Sequence, residues 1–216
     1  MKKENLKNLC VSIGLLAAFI LWTFLIQRVD LQAIGPRGSA VGFATLNQWV
    51  HDLTGVHMDL YILTDWLGLA PVFVGMGFAG LGLVQWIKRK CIWKVDYTIL
   101  VLGGFYIATM AAYIFFESYV VNYRPVLING YLEASYPSST TLLVTCVMPT
   151  AIMQFNGRIT NALLKKWVAG AIVVFVVFMV VGRLISGVHW FSDIIGGLLL
   201  SAGLVMAYRF VVGLKR

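Results

Sequence analysis

The stretch Arg183-Leu-Ile-Ser-Gly-Val-His189-Trp-Phe-Ser-Asp193 gathers a guanidinium, an imidazole and a carboxylate in a short span of chain. His189 and Asp193 are four residues apart, so a helix begun by His189 would set them on one face, with the carboxylate able to bond one ring nitrogen. Such a bond fixes the tautomer and leaves the other nitrogen free as a nucleophile or base, and Arg183 is close enough to hold an anion. The same residues also admit a plain structural reading. Arg183 can snorkel to lipid headgroups, His189 can sit at the interface beside Trp190, and Asp193 can cap the helix that follows.

Two further groups bear on the choice. Tyr123-Arg124-Pro125 places an arginine seven residues after Glu117, and Tyr136-Pro137-Ser138-Ser139-Thr140-Thr141 opens an apolar run. A Pro-Ser-Ser start suits a helix N-terminus, where free N–H groups and the macrodipole attract phosphate. Arginine adds the two-pronged donor that phosphate prefers. Simple capping would account for the serines alone.

The elements that must position these groups are membrane helices. Of 216 residues, 60% are hydrophobic and 12% charged, more apolar surface than one water-soluble core can bury. A helix needs about 20 apolar residues to cross a bilayer. Six stretches qualify, at 9–26, 66–87, 97–116, 138–155, 167–185 and 194–213, the fourth being short and interrupted by Pro149. The expected fold is all-α, a polytopic bundle of six transmembrane helices forming a single membrane domain over residues 1–216. The lysines before the first span fit a retained signal anchor, since no small-x-small cleavage site closes the run.

The net charge of +8 belongs to topology and not to nucleic acid. With both termini inside, only Arg28, Arg37, Arg124 and Arg183 of the 17 Lys and Arg residues fall outside, while all three His and seven of the nine acids do. The polar chemistry is thus expected on the non-cytoplasmic face, and the partners are the bilayer and a lipid drawn from it. An outer segment at about 27–65 carries Phe43, Leu46, Trp49, Val50 and Leu53 at helical spacing, with Ser39 as N-cap and Gly55 as stop, which predicts an amphipathic helix on the membrane surface. Cys10, Cys91 and Cys146 have no metal-ligand spacing and read as packing residues.

Together the three motifs resemble the type 2 phosphatidic acid phosphatase (PAP2) superfamily, in its membrane-embedded branch. The family signature is Lys-x6-Arg-Pro, then Pro-Ser-Gly-His, then Ser-Arg-x5-His-x3-Asp. Order, internal spacing, spans and outward placement match. The resemblance implies dephosphorylation without metal or other cofactor, through a phosphohistidine: His189 as nucleophile, Asp193 as its orienting carboxylate, Arg124 and Arg183 as phosphate clamp, and Ser138 with the backbone at Ser139 holding phosphate oxygens. It further implies a lipid phosphate substrate and a place in the cell's plasma membrane.

Three positions depart from the signature. Glu117 stands for the family's Lys, Thr140 for the His that protonates the leaving group, and Gly182 for the Ser before Arg183. Exchanging a cation for an anion beside a dianionic substrate costs about 1 to 4 kcal/mol. Losing the general acid costs about 100- to 10,000-fold, most of all for an alkoxide leaving group. A phosphoanhydride suffers less, which points toward a polyprenyl diphosphate over a phosphate monoester. A displaced proton donor is the other route, with Glu117, His51 or His57 as candidates. Glu117 equally suits a structural ion pair with Arg124 or Arg183. The alternative function is a catalytically silent relative that binds or transports a phospholipid or prenyl phosphate.

Overall fold

The structure, a computed structural model, describes residues 3–215. Lys2 and Arg216, both counted among the inner charges, lie outside the described residues. The described residues form eight α-helices: α1 (Lys3–Ile26), α2 (Ala44–Thr54), α3 (Met58–Leu67), α4 (Leu69–Arg89), α5 (Tyr97–Ser118), α6 (Ser139–Asn156), α7 (Ala162–Ile185) and α8 (Phe191–Gly213). Among the described residues five stretches are long and apolar enough to cross a membrane: α1, the 32-residue run Met58–Arg89, α5, α7 and α8. The protein is an all-α integral membrane protein.

The fourth expected span, α6, is a helix but falls outside those five. Its place in the bundle explains its polarity. Half of its 18 residues are buried, against three of 24 in α7, because it packs against α4, α5, α7 and α8. Neighbouring helices replace lipid as its solvent, so Thr141, Thr150, Gln154 and Pro149 are tolerated there. Thr150, for example, donates to the carbonyls of Cys146 and Val147, both at 2.9 Å.

The most extensive helix pairing joins α1 to α8. It is close because α8 presents small residues: a side chain at Gly203 would meet Leu16 at 2.7 Å, and Ser12 donates to the Gly203 carbonyl at 2.9 Å. Cys146 packs in the core, whereas Cys10 is exposed on α1, contrary to the packing role expected for it.

The second span begins earlier than its apolar run suggests. α3 and α4 follow each other through Gly68, which keeps right-handed helical angles, and α3 extends the rod toward the end of the bundle where His189 lies. The rod is about 48 Å long at 1.5 Å per residue, well beyond a bilayer core of about 30 Å.

The expected surface helix is present as α2, with two corrections. Its N-cap is Phe43, in a left-handed conformation, and not Ser39, which closes a short 3-10 turn upstream; Gly55, at φ 68°, is the stop. The inward face is also polar. Asn47, which is not among the apolar residues of the helical stripe, is 1% exposed, while Trp49 and Leu53, which are, are 60% and 67% exposed. Asn47 accepts from the Ser192 amide at 3.0 Å and donates to Ser192 Oγ at 2.9 Å and to the Gly42 carbonyl at 2.8 Å, so hydrogen bonds pin α2 to the start of α8.

Candidate active site

Loop 119–138, between α5 and α6, folds back on itself. The Arg124 amide donates to the Glu133 carbonyl at 3.1 Å, the Ser135 amide to the Asn122 carbonyl at 2.9 Å, and Asn129 and Gly130 turn the chain at positive φ. Tyr136 then wedges between helices. Its ring stacks on Phe19, its hydroxyl lies 2.6 Å from Thr23 Oγ1, and a side chain at Gly196 would meet the ring at 2.3 Å, so only glycine leaves room on α8. The loop is also tied to the α7–α8 connection: Trp190 Nε1 donates to the Tyr123 carbonyl at 2.8 Å, and the Ser138 amide to the Asp193 carbonyl at 3.1 Å.

These ties bring two distant stretches against each other around Asp193. The carboxylate is fully buried and receives Ser135 Oγ at 2.5 Å, the Trp190 amide at 2.9 Å, Asn122 Nδ2 at 3.2 Å and Ser192 Oγ at 3.5 Å. The contact with Trp190 closes a capping box, so the capping reading of Asp193 is correct as far as it goes. Four donors also let a carboxylate stay ionised away from water.

His189 does not share a helical face with Asp193, because α8 begins only at Phe191 and His189 precedes its cap. The expected direct contact is replaced by one through Ser135. His189 Nδ1 lies 3.0 Å from Ser135 Oγ and 3.2 Å from the Ser135 carbonyl. A carbonyl can only accept, so Nδ1 carries the proton and Nε2 is left unprotonated, facing Arg183. Burial, and then the charges of Arg124 and Arg183, hold His189 well below the ordinary imidazole value, so the ring is neutral. Ser135 carried no motif signal; it is a serine near Pro137 that only the loop's fold brings to the histidine.

His189 Nε2 lies 3.5 Å from Arg183 Nη2. Arg183 is 1% exposed and is held by α3, with Nη1 at 3.4 Å from Thr64 Oγ1 and 3.6 Å from Asp65 Oδ1, and with its guanidinium 4.9 Å from the centre of the Tyr61 ring. Arg124 lies over the same ring at 5.8 Å. Tyr61 thus gathers two like charges that would otherwise repel. Arg124 Nε is 3.2 Å from Glu133 Oε2, near enough for an ion pair but not aligned for a hydrogen bond. Arg124 Nε and Nη1 and Arg183 Nε are buried donors without a hydrogen-bond partner. Gly182 explains how α3 reaches Arg183, since a side chain there would meet Thr64 Cγ2 at 2.9 Å.

His189, Ser135, Ser139, Glu117 and Tyr113 line one small pocket. Glu117 therefore faces the same space as His189. The ion pairs expected for it are taken by other acids, Glu133 with Arg124 and Asp65 with Arg183. Ser138 is fully buried, receives Thr141 Oγ1 at 3.0 Å and spends its amide on Asp193, whereas Ser139 is on the pocket wall. Thr140 is turned toward the α3–α4 joint, where a side chain at Gly68 would meet its Cγ2 at 3.4 Å. His51 lies with its ring 5.5 Å from that of Trp190, and His57 is exposed at the start of α3 with Nε2 2.9 Å from the Thr54 carbonyl.

The fold and this cluster define a polytopic membrane protein with two buried arginines beside a neutral histidine. Residues 117–215, which include Arg124, Arg183, His189 and Asp193, match the family model described as PAP2 superfamily, in agreement with the resemblance read from the sequence. Among solved structures, the crystal structure of a transmembrane PAP2 type phosphatidylglycerolphosphate phosphatase from Bacillus subtilis is similar, with a TM-score of 0.62, 18% sequence identity, and coverage of 94% of this chain and 95% of that one. At that identity the likeness speaks for the fold. No curated protein sequence matches the chain.

Proposed function

We propose that the protein is a membrane lipid phosphatase or diphosphatase that works through a phosphohistidine on His189. The observation that carries this reading is the set of buried N–H donors on Arg124 and Arg183 that lack a hydrogen-bond partner, next to the unprotonated Nε2 of His189. Donors buried without partners are costly, by about 1 to 3 kcal/mol each, and a phosphoryl group is the ligand whose oxygens would satisfy them.

In the proposed reaction the Nε2 lone pair attacks phosphorus as the bond to the leaving oxygen breaks and that oxygen takes the electron pair. The arginines stabilise the charge on the phosphoryl oxygens. Water then attacks phosphorus, the P–N bond returns its pair to Nε2, and phosphate leaves. Thr140 points away from the pocket and a hydroxyl is too weak an acid to help an alkoxide depart. Two routes fit: a phosphoanhydride substrate, such as a polyprenyl diphosphate, whose leaving phosphate needs no proton, or proton donation by Glu117 across the pocket.

The proposal includes a single membrane domain with six crossings, α6 being the sixth, both termini inside and the site on the non-cytoplasmic face of the plasma membrane. The distribution of basic residues supports it, since only four of the 17 Lys and Arg fall in the segments read from the sequence as outer.

Phosphate release tests the reading directly. Protein purified in detergent without added metal is given a polyprenyl diphosphate, phosphatidic acid and phosphatidylglycerophosphate, and His189→Ala is compared with wild type. Release from the diphosphate that vanishes in His189→Ala is expected; release that survives the substitution sinks the mechanism, and a clear preference for phosphatidic acid sinks the anhydride assignment. A second reading, a silent site that binds or moves a lipid phosphate, is favoured by Glu117 in the pocket and by the position of Thr140. It predicts tight lipid phosphate binding with no release by wild type.

A further inference from the structure

Asp193 is the buried carboxylate of the site, yet its hydrogen-bonded path to His189 runs through a third residue. Ser135 Oγ lies 3.0 Å from His189 Nδ1 and 2.5 Å from Asp193 Oδ2, and Ser135 is 2% exposed. A serine hydroxyl has one proton. Donated to the carboxylate, it leaves the oxygen lone pairs facing Nδ1–H. Asn122 fixes both ends of the arrangement: its carbonyl receives the Ser135 amide at 2.9 Å, and its side chain donates to Asp193 Oδ1 at 3.2 Å. The hairpin of loop 119–138 therefore delivers Ser135 in one register to the base of α8.

From this geometry we propose that Ser135 is a positioning residue, a hydroxyl bridge that couples the His189 ring to the Asp193 carboxylate and holds the tautomer with Nε2 unprotonated. It acts through His189 and does not touch the substrate. The bridge deepens the phosphohistidine reading and rests on it for its catalytic meaning, but the coupling itself is a property of the resting protein.

The alternative is that Ser135 is a small residue filling a tight corner. The two roles separate because the Ser135 carbonyl, which every substitution keeps, accepts Nδ1–H in either case; only a bridging role makes the ring sensitive to the hydroxyl. The charged and titratable groups facing the ring are Arg183 from α7, Arg124 from the loop, Asp193 from α8 and Glu117 across the pocket; of these, Asp193 alone is hydrogen-bonded to the Ser135 hydroxyl.

The chain has only three histidines, so 15N-histidine labelling gives three ring signals, and His189→Ala assigns the relevant one. In wild type the His189 signal is expected to be that of the Nδ1-protonated tautomer. In Ser135→Ala it should shift toward a mixture of tautomers and titrate at lower pH, because the link that lets the carboxylate favour the imidazolium is gone. Ser135→Thr, which keeps a hydroxyl, should restore it, and Ser135→Cys, close in volume but a weak donor, should behave as alanine does if alanine compromises folding. Turnover is read alongside: kcat falling about 10- to 100-fold with little change in KM, recovered in Ser135→Thr.

A His189 signal that is unchanged in Ser135→Ala or Ser135→Cys, or one that is Nε2-protonated in wild type, overturns the bridge. Absence of His189-dependent hydrolysis in wild type would instead overturn the phosphatase reading, and the spectra would still decide the bridge.

Discussion

His189 Nε2 and Arg183 Nη2 lie 3.5 Å apart, on the side of the ring opposite Ser135. A nucleophile and the cation that would receive the charge it creates are thus neighbours before any substrate arrives. Holding Arg183 there falls to α3, through Thr64, Asp65 and Tyr61.

Arg183→Lys is expected to lower kcat by about 100-fold or more, the usual loss when one preorganised donor is removed from developing charge. A lysine keeps the charge but not the fork. Phosphate release under saturating lipid checks this, and a loss confined to KM would assign Arg183 to ground-state binding instead.

Glu117→Gln separates the two proton routes. If Glu117 is the donor, hydrolysis of phosphate monoesters should fall about 100-fold or more while that of a diphosphate changes little. Equal small changes on both substrates would remove Glu117 from the chemistry.

Protonation of His189 should leave a signature in stability. The folded protein keeps the ring neutral well below its ordinary value, while the unfolded chain takes up a proton below about pH 6.5. The unfolded state then binds more protons, so stability contributed by this residue is complete above that pH and is lost as pH falls through it. Thermal midpoints measured from pH 7.5 down to 5 should decline, and His189→Gln should flatten the decline. For the same reason kcat should show no break near pH 6.5.

Gly196→Ala puts a methyl where the Tyr136 ring stands 2.3 Å from the added carbon. Overpacking of this kind costs about 1 to 3 kcal/mol, here by pushing the 119–138 loop off α8. Thermal unfolding in detergent should register the loss, and Tyr136→Leu in the same background should relieve part of it.

Asn47→Ala should loosen α2, since it strands both the amide and the hydroxyl of Ser192 and costs about 2 to 3 kcal/mol. A lower thermal midpoint and faster proteolysis within residues 44–54 are the expected readings.

The sequence by itself determined the membrane class, the main apolar helices and the family resemblance. Apolar run length and the unequal placement of Lys and Arg depend only on local composition, because bilayer thickness and headgroup charge act on each segment separately. The motifs at Arg124, Ser138 and His189 were legible for a similar reason, being short and internally spaced. What each helix faces was not. The polarity of α6 became intelligible only when four other helices were seen around it, and the inward turn of Asn47 only when Ser192 was found to receive it. The link from His189 to Asp193 through Ser135 depended on tertiary structure altogether. Residues 54 positions apart in the chain meet because a hairpin, a wedged tyrosine and a glycine on α8 set one register, and no local pattern records a hydrogen bond made across that distance.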